Sequence, residues 1–200
     1  MSKKSKGVVL IGFKHCGKST IGKALANILQ SKFIDIDAVI EKLSGFSCRK
    51  LYLEKGSKAF IDYETKASQS IVTDDINGKF PQGLVIATGG GICENTDAVT
   101  ILKEEYIFVY LQISEEIALE RILNEAKSSS EEKCGYELSS LPAWLSREKP
   151  TSPEMLKTLF HNYYEKRCNS YAQIADVTIF VGEHNPLENA EGIKKAVSLL

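Results

Sequence analysis

The chain has 200 residues, which is long enough for one domain with a sizeable hydrophobic core. Hydrophobic residues make up 43% of it, charged residues 26%, and the net charge is −1, so the composition gives no reason to expect nucleic acid or an anionic membrane as a partner. The apolar run near the N-terminus ends at Lys14, which is too early for a membrane span and atypical of a signal peptide. We expect a monomeric, cytoplasmic protein.

Short apolar runs alternate with longer amphipathic segments along the chain. Runs rich in β-branched residues predict five strands, at residues 8–11, 33–36, 84–87, 106–113 and 177–181. Helical spacing of apolar residues predicts helices over about 51–72 and from Pro186 onward, and Ser114 is placed to cap a helix after the fourth strand. Strands separated by helices predict an α/β fold, in which helices cover both faces of a parallel sheet.

A polar, serine-rich stretch at about residues 124–154 departs from this pattern. It holds three of the five prolines and the only tryptophan, Trp144, which lies among leucines. A long loop inside a compact domain is either disordered or a functional lid. Because a tryptophan is untypical of a flexible linker, we favour a lid inserted in a single domain of residues 1–200.

The clearest motif follows the first predicted strand and precedes a predicted helix. Residues 12–19 read GFKHCGKS and fit G-x-x-x-x-G-K-[ST] in full, the pattern of a loop that binds nucleotide phosphates. Its glycines let backbone N–H groups turn toward a phosphate, and the helix N-terminus adds a favourable dipole. Lys18 is expected to bridge the β- and γ-phosphates, and Ser19 to offer its hydroxyl to Mg²⁺. The predicted nucleotide-binding residues of this loop are Gly12, His15, Cys16, Gly17, Lys18, Ser19 and Thr20.

A phosphate loop by itself is compatible with a GTPase, a transport ATPase or a small-molecule kinase. The Asn-Lys-x-Asp motif of GTPases does not occur in the sequence, and residues 43–46, LSGF, are only a fragment of a transporter signature. The chain length and the candidate lid favour a small kinase.

Two further features indicate a site for the molecule that receives the phosphate. Asp35 and Asp37 form D-x-D at the end of the second predicted strand, where alternation along an extended chain would put both carboxylates on one side. One carboxylate could serve Mg²⁺ through water, and the other could orient or deprotonate an acceptor hydroxyl. Gly89, Gly90 and Gly91 end the third strand, where their backbone N–H groups are open to a ligand.

Together these segments resemble the shikimate kinase family. The resemblance rests on GFKHCGKSTIGKALA, FIDIDAVIE, LVIATGGG and, near the end, EKRCNSYAQIAD, and it covers nearly the whole chain in the same order. It implies a three-layer α/β/α P-loop kinase fold, similar to nucleoside monophosphate kinases, with a five-stranded parallel sheet of order 2-3-1-4-5 and a mobile lid. It also implies Mg²⁺- and ATP-dependent phosphorylation of the 3-hydroxyl of shikimate, within aromatic amino acid biosynthesis.

The resemblance also implies roles for individual residues. Lys18 and Asp37 would be catalytic, with Asp37 on the shikimate hydroxyl, while Ser19 and Asp35 would serve the metal ion. Gly89, Gly90, Gly91 and Arg167 would bind shikimate, with Arg167 on its carboxylate. On the nucleotide side, Arg121 would stack on adenine and Asn185-Pro186 would form the adenine-flanking turn, with His184 where an arginine is common.

Three positions, in two motifs, depart from the family pattern. The family motif G-E-x-x-F-R-x-x-E is here GSKAFIDYE, so Ile61 replaces an arginine that grips the substrate carboxylate, and Ser57 replaces a glutamate. Glu64 remains without its usual arginine partner. In the lid, Leu141 replaces an arginine that meets the transferred phosphate. Each lost charge-assisted contact is worth roughly 1.5–3 kcal/mol, or about tenfold to a hundredfold in affinity or rate.

Three explanations are compatible with these replacements. In the first, other cations are supplied near the substrate, by Arg49 or Lys50 on the pocket wall or by Lys133, Arg147 or Lys149 in the lid. In the second, the acceptor is a different, less anionic polyol. In the third, the chain is a non-catalytic module that only binds nucleotide. The retained Asp37, the three glycines and Arg167 favour the first.

Overall fold

Five short parallel strands form the central sheet of the structure, a computed structural model that describes residues 7–126, 140–182 and 184–200. The strands are β1 (Val8–Ile11), β2 (Lys32–Asp35), β3 (Leu84–Ala87), β4 (Ile107–Gln112) and β5 (Val177–Phe180). Their order is β2-β3-β1-β4-β5, which confirms the predicted sheet. Every residue of β1 and β3 is buried, although successive side chains point to opposite faces, so both faces of the sheet centre are covered.

Eight α-helices surround the sheet within the described residues. They are α1 (Lys18–Leu29), α2 (Ile36–Ser44), α3 (Cys48–Ile76), α4 (Thr96–Lys103), α5 (Glu115–Ala126), α6 (Ala143–Ser146), α7 (Pro153–Ile174) and α8 (Pro186–Val197). Two predicted helix starts are confirmed. The Ser114 hydroxyl accepts a hydrogen bond from the Ile117 N–H, and Asn185 forms a capping box with Glu188 at the start of α8.

The boundary between β2 and α2 differs from the prediction. The strand ends at Asp35 and the helix begins at Ile36, so Asp35 and Asp37 do not alternate along an extended chain. Instead Asp35 is the N-cap of α2, and its Oδ1 accepts the Asp37 N–H at 3.1 Å. The apolar run 33–36 hides this boundary, because Ile36 is as suitable for the first turn of a buried helix as for a strand.

The long helix α3 is kinked at Gly56, whose φ of 84° and ψ of 172° are not helical. The predicted helix, 51–72, therefore lies inside a longer element that changes direction. The left-handed φ is one that glycine adopts without the steric cost that a side chain brings. As a result, Arg49 lies before the kink and Ile61 and Glu64 lie after it, and all three line one cavity.

The predicted lid falls partly outside the described residues, since 127–139 are not among them. In the described part, Leu141 and Leu145 are buried, and the Trp144 ring lies 5.8 Å from Phe13 and 4.7 Å from Tyr163, measured between centroids. This part of the segment therefore packs on the phosphate loop and on α7. Its movement as a lid remains a prediction.

The close approach of α1 to the sheet depends on Gly22. A Cβ at this position would lie 2.7 Å from Cε2 of Phe33 in β2 and 3.1 Å from Cδ1 of Leu10 in β1. The absence of a side chain thus sets the distance at which α1 packs, and α1 carries the phosphate-binding residues at its start.

We predict that Gly22→Ala lowers the free energy of unfolding by about 1–3 kcal/mol, because the added methyl forces Phe33 or α1 to shift. The matched control is Gly192→Ala in α8, where a Cβ would meet nothing within 4 Å. It should raise stability by up to about 1 kcal/mol through helix propensity. Urea denaturation of both variants measures this, and equal changes would contradict the packing argument.

Candidate functional site

The loop between β1 and α1 has the backbone geometry of a phosphate-binding loop. Gly12 and Gly17 have φ of 145° and 96°, and His15 also has a positive φ, of 64°. A side chain at Gly12 would place its Cβ 2.6 Å from the carbonyl oxygen of Leu111, so only glycine fits there. Gly17 is the N-cap of α1, which directs the N-terminus of that helix at the loop.

Lys18 occupies the centre of this loop. Its side chain is buried, and its Nζ donates hydrogen bonds to the carbonyl oxygens of Gly12 and Phe13, both at 2.9 Å. The ammonium group is therefore enclosed by the residues that curl around it. This is where a positive charge can serve the β- and γ-phosphates of a nucleotide.

Ser19 and Asp35 lie together, as predicted for the metal side of the site. The Ser19 hydroxyl donates to Oδ2 of Asp35 at 2.7 Å, which joins the start of α1 to the end of β2. A hydroxyl and a carboxylate are hard oxygen donors of the kind that Mg²⁺ takes together with waters and phosphate oxygens. Among the described residues, no cluster of three or more His, Cys, Asp or Glu side chains suits a metal ion.

A cavity of about 410 Å³ lies on the outer side of the loop. It is lined by the predicted residues His15, Cys16, Gly17, Thr20, Arg121 and Pro186, and by His184. Arg121 in α5 donates to the carbonyl oxygen of His15 at 2.8 Å, which ties this wall to the loop. Ile21, Val181 and Asn189 also line the cavity and were not predicted, because helix-face and strand-end residues of this kind carry no motif.

A larger cavity of about 660 Å³ begins at Lys14 on the inner side of the same loop. Its walls are the start of α2, both arms of α3, the glycines after β3, the 142–148 segment and α7. Among its lining residues are five cationic side chains and four carboxyl groups. The cationic ones are Lys14, Arg49, Arg147, Lys166 and Arg167, and the carboxyl groups belong to Asp37, Glu64, Glu94 and Glu148.

Asp37, which lines this cavity, has one unsatisfied carboxylate oxygen. Its Oδ1 is buried and has no hydrogen-bond partner among the described residues. Burial raises the pKa of Asp37, and the neighbouring Asp35 raises it further, while the charges of Lys18 and Lys14 lower it. A buried carboxylate oxygen without a partner is suited to accept a hydrogen bond from a ligand hydroxyl.

The three glycines after β3 lie close to groups of the candidate site. A Cβ at Gly89 would lie 3.1 Å from Oδ1 of Asp37, and one at Gly90 would lie 3.2 Å from the backbone nitrogen of Lys14. A Cβ at Gly91 would lie 3.9 Å from a terminal nitrogen of Arg167. The glycines therefore leave space for two side chains and for the backbone of the phosphate loop, and their role in binding a ligand stays a prediction.

Arg167 lies on the α7 wall of the cavity and is held rigidly. Only 5% of it is exposed, its Cζ lies 4.9 Å from the ring centroid of Trp144, and its Nε donates to Oε1 of Glu94 at 3.4 Å. Stacking on an aromatic ring and burial both fix a guanidinium in place. The predicted carboxylate-binding arginine is therefore present and preorganised.

The expected lid arginine has no direct substitute at its own position. Leu141 is fully buried, so its side chain does not enter the cavity, and its carbonyl oxygen accepts a hydrogen bond from Arg49 at 2.9 Å. Arg49 and Arg147 do line the cavity, as the compensation hypothesis requires. Lys50 instead pairs with Glu54 on an exposed face at 3.7 Å. Lys133 lies outside the described residues.

Glu64 is a buried carboxyl group without a cationic partner. It is 1% exposed, and its Oε2 accepts a hydrogen bond from Nδ2 of Asn95 at 2.9 Å, while its Oε1 has no partner among the described residues. The same Asn95 amide also donates to the carbonyl oxygen of Ile61 at 3.1 Å. Burial raises the pKa of Glu64 to about 7, although the Asn95 hydrogen bond lowers it. Asn95 was not predicted, since it lies 31 residues away along the chain.

We predict that Glu64→Gln stabilises the protein more at pH 8 than at pH 5. Because the folded-state pKa of Glu64 is raised from 4.5 to about 7, the folded state holds more protons than the unfolded state between these values. The free energy of unfolding therefore falls as pH rises through this window. Glutamine does not titrate, so the variant does not lose this free energy of unfolding as pH rises. The loss in the wild type is on the order of 2–3 kcal/mol for a shift of this size.

Urea denaturation at both pH values measures the difference. Glu54→Gln, an exposed position of the same helix, is the matched control and should show no such pH dependence. If the stability difference between Glu64→Gln and the wild type is the same at pH 5 and pH 8, the raised pKa is wrong.

Comparison with known proteins decides the family of this site. The sequence model described as "Shikimate kinase" matches residues 14–198, which include the inner part of the phosphate loop, both cavities and α8. The chain belongs to the shikimate kinase family. It is thereby a small-molecule kinase, and the predicted GTPase and transporter alternatives are excluded.

Individual relatives agree with this assignment. A shikimate kinase from Sulfurihydrogenibium sp. is 36% identical over 120 residues, which are 60% of this chain and 68% of the relative. One from Persephonella marina is 28% identical over 183 residues, or 92% and 93% of the two chains. The structure of shikimate kinase from Acinetobacter baumannii in complex with shikimate superposes with a TM-score of 0.76 at 23% identity, over 97% of this chain and 93% of that one. That structural likeness confirms the P-loop kinase fold.

In the described part of the chain, no helix combines the length and the apolar character that crossing a membrane requires.

Proposed function

We propose that this shikimate kinase family member transfers the γ-phosphoryl group of MgATP to the 3-hydroxyl of shikimate. One observation carries the proposal: the inner cavity combines an unsatisfied carboxylate, Asp37, with a buried and aromatic-stacked arginine, Arg167. The first suits a hydroxyl group and the second suits a carboxylate. Shikimate carries both groups on one ring.

The two cavities are placed for direct transfer. His15, Cys16 and Gly17 line the outer cavity, and Lys14, the residue before them, lines the inner one, so only the phosphate loop separates nucleotide from acceptor. Lys18 would stabilise the negative charge on the phosphates as the bond to the leaving oxygen breaks. Ser19, with Asp35 acting through water, would hold Mg²⁺, which supplies further charge stabilisation.

Asp37 has the role of orienting the acceptor. Its free Oδ1 would accept the hydrogen bond of the 3-hydroxyl, and its raised pKa brings it closer to that of a useful base. Gly89 leaves the space in which this carboxylate sits. The proton released as the phosphate ester forms would pass to Asp37.

The charge of the inner cavity favours an anionic acceptor. Five cationic side chains face four carboxyl groups, one of which is Glu64, with a pKa of about 7. Arg49 and Arg147 add positive charge to the walls of this cavity, which Ile61 also lines. They support the hypothesis that cations from elsewhere compensate for the two missing arginines.

We also propose that residues 124–154 act as a lid over this site. The contacts of Trp144 with Phe13 and Arg167 place the described part of the segment against both the loop and the acceptor cavity. Closure would exclude water, which otherwise competes as an acceptor. One copy of the chain supplies both cavities, which supports a monomeric enzyme, and we retain the cytoplasmic location as a proposal.

The decisive experiment measures ADP release with ATP, Mg²⁺ and shikimate, and identifies the product by ³¹P NMR. We expect shikimate-dependent turnover and phosphate on the 3-hydroxyl. Asp37→Asn should lower kcat by about 10²- to 10⁴-fold, since it removes the base but keeps the shape of the side chain. Asp62→Asn, at an exposed position of α3, is the control and should keep kcat within about twofold of the wild type.

Protein that binds ATP but releases no ADP with shikimate would contradict the proposal. A panel of uncharged polyols would then separate the two remaining explanations. Turnover with one of them would indicate a changed acceptor, and no turnover with any would indicate a nucleotide-binding module.

A second candidate, a kinase for a less anionic polyol, is favoured by Ile61. This side chain is 37% exposed and lines the cavity near Glu64, whose Oε1 is free to accept a further hydroxyl. Replacing Ile61 tests the choice, because an arginine at this position could pair with Glu64 and reach an acceptor carboxylate.

We predict that Ile61→Arg lowers KM for shikimate about tenfold or more, since a charge-assisted hydrogen bond contributes roughly 1.5–3 kcal/mol. Ile61→Met is the matched control and should leave KM nearly unchanged. Steady-state kinetics measure both. An unchanged or higher KM in Ile61→Arg would mean that the acceptor carboxylate does not lie at this wall.

A further inference from the structure

Lys14 is a cation of the phosphate loop that also faces the acceptor. It is the third residue of the loop, and its side chain, 36% exposed, lines the inner cavity together with Asp37 and Gly90. Its backbone nitrogen lies 3.2 Å from the position of a Cβ on Gly90. Its positive charge is close enough to lower the pKa of Asp37. Lys14 therefore belongs to the loop proposed to hold the phosphates and also lies near the carboxylate proposed to bind the hydroxyl.

The ammonium group of Lys14 is bound to Glu125 near the end of α5. Its Nζ donates to Oε2 of Glu125 at 2.8 Å, and Nε2 of His15 lies 2.6 Å from the same oxygen. Burial and the Lys14 charge lower the pKa of His15, although Glu125 raises it, whereas Lys14 contributes an ammonium group. Lys14 is thus the charged partner of Glu125.

This ion pair can be exchanged for a stronger one. The Glu125 side chain is 48% exposed, and ion pairs in such solvated positions contribute little to stability. A γ-phosphoryl group in the loop carries more negative charge than a carboxylate and would lie beside Lys14. The phosphoryl group should therefore compete successfully with Glu125 for the ammonium.

The other four cations of the inner cavity all lie outside the phosphate loop, and Lys166 is among them, in α7. Arg167 is held on Trp144 and Glu94, and Arg49 donates to the carbonyl oxygen of Leu141. Arg147 lies just after α6, whereas Lys14 belongs to the loop that holds the phosphates. Because Leu141 is buried, its side chain supplies no charge here.

We propose that Lys14 is a further catalytic residue, whose ammonium group leaves Glu125 and contacts the γ-phosphoryl oxygens during transfer; this rests on the proposed function. In that step the bond from the γ-phosphorus to the β–γ bridging oxygen breaks, and a bond from the acceptor oxygen to phosphorus forms. The hydroxyl proton passes to Asp37. Lys14 keeps its proton and stabilises the charge on the equatorial oxygens.

A purely structural role for the pair makes different predictions. In that case the Lys14–Glu125 contact only fastens α5 to the loop, beside the hydrogen bond from Arg121 to the carbonyl oxygen of His15. Removing either partner would then loosen the loop in the same way. If Lys14 serves the γ-phosphoryl group, the two removals act in opposite directions, because Glu125 competes with the nucleotide for the ammonium.

The experiment compares Lys14→Met, Lys14→Arg and Glu125→Gln with the control Lys66→Met, an exposed lysine of α3 that stacks on Tyr63. The first readout is kcat with shikimate. The second is the affinity, in the presence of Mg²⁺, for ADP and for AMP-PNP, an ATP analogue that carries a γ-phosphate. Lys14→Met should lower kcat about 10- to 100-fold and the preference for AMP-PNP over ADP several-fold, as expected for one charge-assisted contact.

The remaining variants sharpen the result. Lys14→Arg should recover most of the lost kcat, Glu125→Gln should keep or raise the preference for AMP-PNP over ADP, and Lys66→Met should match the wild type. Equal losses of ADP and AMP-PNP affinity in both Lys14→Met and Glu125→Gln would overturn the proposal. The nucleotide affinities are measured without an acceptor. A wild-type protein without shikimate turnover would therefore overturn the proposed function, while the ratio of AMP-PNP to ADP affinity would still decide the role of Lys14.

Discussion

Asp35 accepts two hydrogen bonds, and both cavities depend on that pair of contacts. One comes from the Ser19 hydroxyl at the start of α1, and the other from the backbone N–H of Asp37 at the start of α2. The first joins Ser19 of the phosphate loop to the end of β2, and the second fixes the first turn of the helix that carries Asp37. Because β2 and β3 run parallel with Asp35 beside Ala87, the same junction lies next to the glycines after β3. The groups proposed to bind metal, phosphate and acceptor are thus positioned from one side chain.

In the inner cavity, Ile61 stands where the family pattern has an arginine, and the charges around it differ accordingly. Glu64 remains buried, but its partner is the neutral amide of Asn95, which also binds the backbone of Ile61. Burial raises the pKa of Glu64, and the neutral Asn95 donor offsets that rise less than a guanidinium would. Near neutral pH this wall therefore alternates between a neutral and a negative form. The positive charge for an anionic ligand is concentrated on Arg167, with Arg49, Arg147, Lys14 and Lys166 around it.

Much of this arrangement could be predicted from sequence, because local patterns carry it. The phosphate loop follows from its glycines and from Lys18, and β1 and β3 follow from short apolar runs that end in glycine. The start of α2 could not be predicted, since Ile36 suits a buried strand and a buried helix equally well. The kink at Gly56 was also missed, because an isolated glycine is tolerated within a helix pattern.

The contacts that were missed altogether join distant parts of the chain. Asn95 meets Glu64, and Glu125 meets Lys14, across separations of 31 and 111 residues. Neither pair has a fixed spacing in sequence, and both result from which helices the sheet brings together. Sequence patterns therefore indicate the groups that bind phosphate and hydroxyl, whereas the partners that tune those groups come from the tertiary fold.

The position of Trp144 gives this chain an optical property of its own. Because it is the only tryptophan, it produces nearly all of the protein fluorescence that is excited at the long-wavelength end of the absorption band. Its ring contacts Phe13 of the phosphate loop and the guanidinium of Arg167. With the proposed function, nucleotide binding at the loop and acceptor binding at Arg167 would each change the surroundings of this one indole, so the fluorescence of the unlabelled protein would report both ligands.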